Sequence, residues 1–235
     1  MTGPVALVGS GEYLPVMDAV ERRLLEGRPP RFVQLATAAA PEGLKSLARW
    51  HELGRRSAER IGVHQVVVPV VDRVSADDPE LAGLIDGAGL IYLSGGKPTF
   101  LADTLRDTAV WAAIESAWRA GASLAGCSAG AMALGLQVPG IRAPRKRPVQ
   151  GLAAVPQLSV LPHFDRFAAR MPDMVLHAVT SSPPGVTVVG IDEDTALVGG
   201  PEEWEVMGRQ QVWVLGENGR TGYAAGEHLR LPDLT

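Results

Sequence analysis

Ser128 stands at the centre of Gly126-Cys127-Ser128-Ala129-Gly130, with glycines two residues before and two after it. The strand-like Ser123-Leu124-Ala125-Gly126-Cys127 leads in, and the helix-like Ala129-Gly130-Ala131-Met132-Ala133-Leu134 leads out. A strand that turns sharply into a helix lifts its middle side chain into solvent and leaves no room for Cβ branches on the neighbours, which the two glycines relieve. The helix start aims free backbone N–H groups and its positive dipole end at the same point, so the Ala129 amide is an expected oxyanion donor. The chemistry this predicts is nucleophilic attack by a seryl oxygen, that is, a serine hydrolase. A close-packed turn or a phosphate cradle would use the same small residues. Cys127 adjoins the serine but should point to the opposite side of the chain, as a buried, inert thiol.

A serine at its free pKa is a weak nucleophile and needs a histidine base, itself oriented by a third group. His163 follows the apolar run Leu158-Ser159-Val160-Leu161-Pro162, and such sites assemble at strand C-termini in open α/β sheets. His51, His64, His177 and His228 lack that placement. Residues i and i+2 of an extended chain face the same way, so Asp165 is expected to reach the His163 ring and fix its tautomer. No Asp or Glu occurs between Ala129 and Pro162, so the acid is Asp165 or a remote group. Glu193, in the acidic turn Gly190-Ile191-Asp192-Glu193-Asp194-Thr195, is the alternative.

Positioning these residues requires a sheet. Val5 to Val8, Arg31 to Thr37, Gln65 to Val71, Leu90 to Ser94, Ser123 to Cys127 and Leu158 to Pro162 are short β-rich runs, apolar almost throughout. Strands apolar on both faces belong in a sheet covered on both sides, and Met17 to Glu26, Gly43 to Ile61, Pro79 to Asp86 and Phe100 to Ala120 have helical composition. The pattern predicts an α/β fold, doubly wound, with a mainly parallel sheet and helices on both faces. Val186 to Ile191, Ala196 to Val198, Trp204 to Met207, Val212 to Leu215 and His228 to Leu231 should add antiparallel strands near the C-terminus. Without repeats or low-complexity tracts, residues 1–235 are expected to form one domain, and Gln137 to Gln150 its mobile loop.

Composition narrows the function classes. The chain has 235 residues, 46% of them hydrophobic and 20% charged, the make-up of a globular protein with a sizeable core. Its apolar runs are strand-length, far short of the roughly 20 residues a bilayer demands. The run after Pro4 closes at Gly9 and Ser10, unlike a secretory leader, and the expected location is the cytoplasm. One cysteine and five scattered histidines offer no multi-thiolate zinc site and no His-Glu-x-x-His spacing, so no metal or other cofactor is expected. A net charge of -4 gives no reason to expect nucleic acid, and Arg142, Arg145, Lys146 and Arg147 read as a solvated loop.

Taken in order, Gly9-Ser10-Gly11-Glu12, Leu93-Ser94-Gly95-Gly96-Lys97-Pro98-Thr99, Gly126-Cys127-Ser128-Ala129-Gly130-Ala131, Pro162-His163-Phe164 and Gly190-Ile191-Asp192-Glu193-Asp194-Thr195 resemble peptidase family S51. That family includes aspartyl dipeptidase and cyanophycinase and has the class I glutamine amidotransferase-like fold. The resemblance implies that Ser128 is the nucleophile and His163 the base, with Gly96 and Ala129 supplying oxyanion amides. It implies a small peptide or amide as substrate. Family members cleave next to acidic residues, and Arg166 and Arg170 could hold a substrate carboxylate bidentately. Two departures accompany it: the intervening acid is missing, and Lys97-Pro98 follows the glycines where relatives often carry Asn or Asp-Gln. A glutamine amidotransferase would place cysteine at the elbow, and a non-catalytic binding protein would keep the fold without hydrolysis.

Overall fold

The computed structural model describes residues 2–139, 149–167, 171–172, 183–200, 203–216 and 219–231. Arg142, Arg145, Lys146, Arg147, Arg170 and His177 lie outside the described residues, as does the middle of the expected loop between Gln137 and Gln150. The strands are β1 (Val5–Val8), β2 (Arg31–Leu35), β3 (His64–Val67), β4 (Leu90–Leu93), β5 (Ser123–Cys127), β6 (Gln137–Val138), β7 (Val149–Gln150), β8 (Leu158–Pro162), β9 (Thr187–Ile191), β10 (Thr195–Gly199), β11 (Glu203–Gly208), β12 (Gln211–Gly216), β13 (Gly219–Ala224) and β14 (His228–Arg230). The α-helices are α1 (Asp18–Leu25), α2 (Leu44–Ile61), α3 (Arg73–Ala76), α4 (Pro79–Gly83), α5 (Pro98–Leu105), α6 (Ala109–Arg119), α7 (Ala129–Leu134) and α8 (Phe164–Phe167).

An eight-stranded sheet runs β14-β11-β10-β1-β5-β4-β2-β3, parallel from β1 to β3 and antiparallel from β1 outward through β10, β11 and β14. Strands β1, β4 and β5 are buried at every position because each face of the sheet meets a separate core. Val5 and Leu7, Ile91 and Leu93, and Leu124 enter one core with residues of α5, α6 and α7. Ala6 and Val8, Leu90 and Tyr92, and Ala125 and Cys127 enter the other, with α1 and α2. The period of two that sends neighbours to opposite faces is thus satisfied twice over.

A second sheet, β13-β12-β9-β8, pairs β8 with β9 in parallel and the others antiparallel. This corrects the expected place of β8 in the central sheet. Leu158 and Val160 face the large core, while Leu161 packs with Phe164 and Val188, so β8 is covered on both sides without joining that sheet. Between β9 and β10 the chain steps from one sheet to the other in three residues, Asp192, Glu193 and Asp194.

Phe100 to Ala120, expected as one helix, is two. Arg106 is extended, Asp107 has φ +58°, and Thr108 starts α6 by accepting the Trp111 amide at 3.4 Å. Serine and threonine do this at helix starts because the first amides have no acceptor within the helix. β2 and β3 end earlier than expected, at Leu35 and Val67, and a 3-10 turn over Thr37–Glu42 follows β2. The ends of the expected loop pair as β6 and β7. No helix among the described residues is long and apolar enough to cross a membrane.

Candidate active site

Ser128 has φ +49° and ψ −106°, a backbone conformation that side chains rarely adopt and that costs roughly 1–3 kcal/mol. The surroundings enforce it. The Ser128 amide donates to the Val8 carbonyl at 2.9 Å, and α7 starts at the next residue. A Cβ on Gly126 would lie 2.5 Å from the Gly130 carbonyl carbon, and one on Gly130 would lie 2.2 Å from the Leu93 carbonyl oxygen. Both glycines are therefore demanded by backbone lying on backbone.

His163 also has positive φ, +52°, at the point where β8 gives way to α8. Its Nε2 lies 3.0 Å from Ser128 Oγ and its Nδ1 lies 3.0 Å from Glu193 Oε1. The structure thus joins Ser128, His163 and Glu193 in one hydrogen-bonded chain. Asp165 does not take the ring position expected for it: its Oδ1 accepts the Glu193 amide at 2.9 Å. The i, i+2 rule fails here because α8 begins at Phe164, and alternate residues of a helix point to different sides.

Glu193 is fixed at every polar group. Besides His163, its carboxylate accepts Arg166 Nε at 2.7 Å on Oε2. Its carbonyl accepts Gln210 Nε2 at 2.9 Å and Thr195 Oγ1 at 3.1 Å. The hydrogen bond from His163, reinforced by that from Arg166, holds the Glu193 carboxyl below its ordinary range. Arg166, expected to meet a substrate carboxylate, spends its Nε on Glu193, and its side chain is otherwise 71% exposed.

The segment after β4 passes beside the elbow, since a Cβ on Gly95 would sit 3.6 Å from Ser128 Cβ. The Gly95 amide donates to Glu12 Oε1 at 3.1 Å and the Lys97 amide to the Ala38 carbonyl at 2.8 Å. Between them, the Gly96 amide has no acceptor among the described residues. Gly96 has φ +142°, and a Cβ there would lie 2.3 Å from the Ala38 oxygen. Ala129, first in α7, likewise has an amide without an acceptor inside its helix. Cys127 is fully buried and donates its thiol to Glu12 Oε2 at 2.7 Å. Burial, with the Glu12 charge beside it, pushes the thiol pKa well up. Glu12, Gln210 and Thr195 received no role from the sequence, although Glu12 ends one of the quoted motifs. An acidic residue closing a Gly-rich strand exit was the available signal.

Fold and site together define a peptidase-like α/β protein with a serine elbow, and the chain belongs to peptidase family S51, whose model matches residues 46–206. It is similar to the crystal structure of a peptidase from an acI-B1 Actinobacterium, at 40% identity and TM-score 0.89, covering 98% of this chain and 97% of that one. A solved structure from Listeria monocytogenes, 19% identical with TM-score 0.63, shares the fold over 88% of this chain and 99% of its own. The cyanophycinases of Trichormus variabilis and Nostoc sp. are each 28% identical in a 170-residue alignment that covers 68% of this chain. The chain spans about half the length of these curated relatives, 56% in each case.

Proposed function

We propose that this chain is a serine-type peptidase that cleaves a small peptide or isopeptide, next to an acidic residue, through an acyl-enzyme on Ser128. The observation that carries the reading is the Ser128 Oγ to His163 Nε2 to Glu193 chain, with 3.0 Å at each step. With the Nδ1 proton donated to Glu193, the Nε2 lone pair faces the seryl hydroxyl. His163 takes the hydroxyl proton as Ser128 Oγ bonds to the scissile carbonyl carbon. The carbonyl oxygen becomes negative against the Gly96 and Ala129 amides. His163 then gives the proton to the leaving nitrogen as the C–N bond breaks. Water, deprotonated by the same ring, hydrolyses the ester and restores the serine. The remaining exposed N–H groups of Arg166 favour a substrate carboxylate nearby.

A fluorophosphonate probe checks the nucleophile. The wild-type protein is expected to label at one site, and Ser128→Ala to lose labelling with its melting temperature kept. A folded wild-type protein that stays unlabelled, where a known serine hydrolase reacts, would refute the reading. A dipeptide panel differing only in Asp against Asn tests the acidic preference, which requires faster cleavage of the Asp member.

A further inference from the structure

Two consecutive residues after β1 grip two consecutive residues after β4. Tyr13 Oη and Ser94 Oγ are 2.7 Å apart, and Glu12 Oε1 accepts the Gly95 amide at 3.1 Å. The grip is held in an unfavourable shape, because Tyr13 has φ +66°, unusual for a bulky residue. Tyr13 is 1% exposed and Glu12 only 7%. A carboxyl this deep needs polar partners, and each of its oxygens has one: the Gly95 amide and the Cys127 thiol, one residue before the nucleophile. Glu12 therefore touches both backbone segments that carry the oxyanion amides. With the Gly95 amide turned inward to Glu12 and the Lys97 amide to Ala38, Gly96 in between is the one amide of the three left unspent.

We infer that Glu12 is a positioning residue that sets the Gly95-Gly96 strip against the Ser128 elbow, so that the Gly96 amide meets the developing oxyanion. The inference rests on Ser128 being the nucleophile. Glu12 precedes residues 46–206, where the family model matches, and it touches neither His163 nor Glu193. Its effect is therefore on the oxyanion side alone. Without it, the strip loses the bond that orients the Gly95 peptide, and the Gly96 donor moves by the fraction of an ångström that oxyanion hydrogen bonds do not tolerate.

The experiment measures the second-order rate of fluorophosphonate labelling from acid to alkaline pH in wild type, Glu12→Ala, Glu12→Asp and Glu12→Gln, alongside thermal melting. The phosphonyl oxygen occupies the oxyanion position, so no substrate is needed. Glu12→Ala and Glu12→Asp, whose carboxylate recedes by about 1.5 Å, are expected to lower the plateau about 10–100-fold. The pH midpoint should stay in place because the base is untouched. Glu12→Gln keeps an acceptor for Gly95 and offers its NH2 to the Cys127 sulfur, so labelling should return to within about threefold of wild type.

Labelling of folded Glu12→Ala within threefold of wild type would overturn the inference. So would a shifted midpoint, or a Gln variant as slow as the Ala one. Should Glu12→Ala not fold, Glu12→Asp against Glu12→Gln decides by the same criteria. A wild type that does not label refutes the nucleophile, a separate failure.

Discussion

Ser128 and His163 reach the same hydrogen bond from two differently built regions. In the central sheet, Ser128 is held by backbone against backbone: Gly126 on Gly130, Gly130 on Leu93, Gly96 on Ala38. Beside the smaller sheet, Glu193 is held by side chains, from Arg166, Asp165, Gln210 and Thr195, at a partly exposed turn, and it in turn holds the His163 ring. Backbone packing is insensitive to pH and intolerant of added volume. Side-chain bonds are the reverse. Substitutions that add volume in the first region should register in stability, and those that cut a side-chain bond in the second in turnover.

The strongest test is Gly130→Ala. A methyl 2.2 Å from the Leu93 oxygen has no rotamer through which to escape, so destabilisation above about 4 kcal/mol and loss of probe labelling are expected. Denaturant titration measures it, and a stable, reactive variant would break the contrast. Next in size, Glu193→Gln should lower kcat/KM by about 10²–10³-fold, or about 3–4 kcal/mol, with the melting temperature nearly unchanged. Asp165→Asn, which reaches His163 only through the Glu193 backbone, should cost less. The opposite order would return the orienting role to Asp165.

A third test turns to a side chain buried under the central sheet, away from the site. Glu21 is buried between α1 and α2, accepts the Ser57 hydroxyl, and leaves Oε1 without a partner among the described residues. Desolvation raises its pKa from 4.5 to about 7. The folded state therefore binds the proton more tightly, and stability falls as pH rises from about 4.5 to about 7. Glu21→Gln should flatten that slope and gain about 3 kcal/mol at pH 8, read from unfolding curves across the window, with turnover unchanged. The smallest effect belongs to Arg166→Gln. Freed of that guanidinium, Glu193 keeps its His163 hydrogen bond, the larger cause, but loses the second one that holds its carboxyl low. Because Arg166 is exposed, the loss should be only a few-fold and fade in high salt.

What the residues announce locally, they announce well. The central strands follow from apolar runs covered on both faces, and the elbow follows from two glycines whose Cβ positions are occupied by backbone. What depends on distant partners is hidden. β8 has the composition of a central strand, yet its second face is covered by Phe164 and Val188. That the His163 ring meets Glu193 and not Asp165 depends on α8 beginning at Phe164, and on three residues carrying the chain from β9 to β10. The gap at Arg106-Asp107-Thr108 was concealed because residues on both sides favour helix, and only the Thr108 cap marks the break.

Cys127 is the one cysteine of the chain, and none of it is exposed. A thiol-reactive dye therefore has a single target, directly behind Ser128, which it reaches only when β5 parts from its neighbours. Under native conditions the colour it develops counts those openings one by one. A molecule covalently held on Ser128 should slow the count, turning an inert sulfur into a clock for the breathing of the elbow.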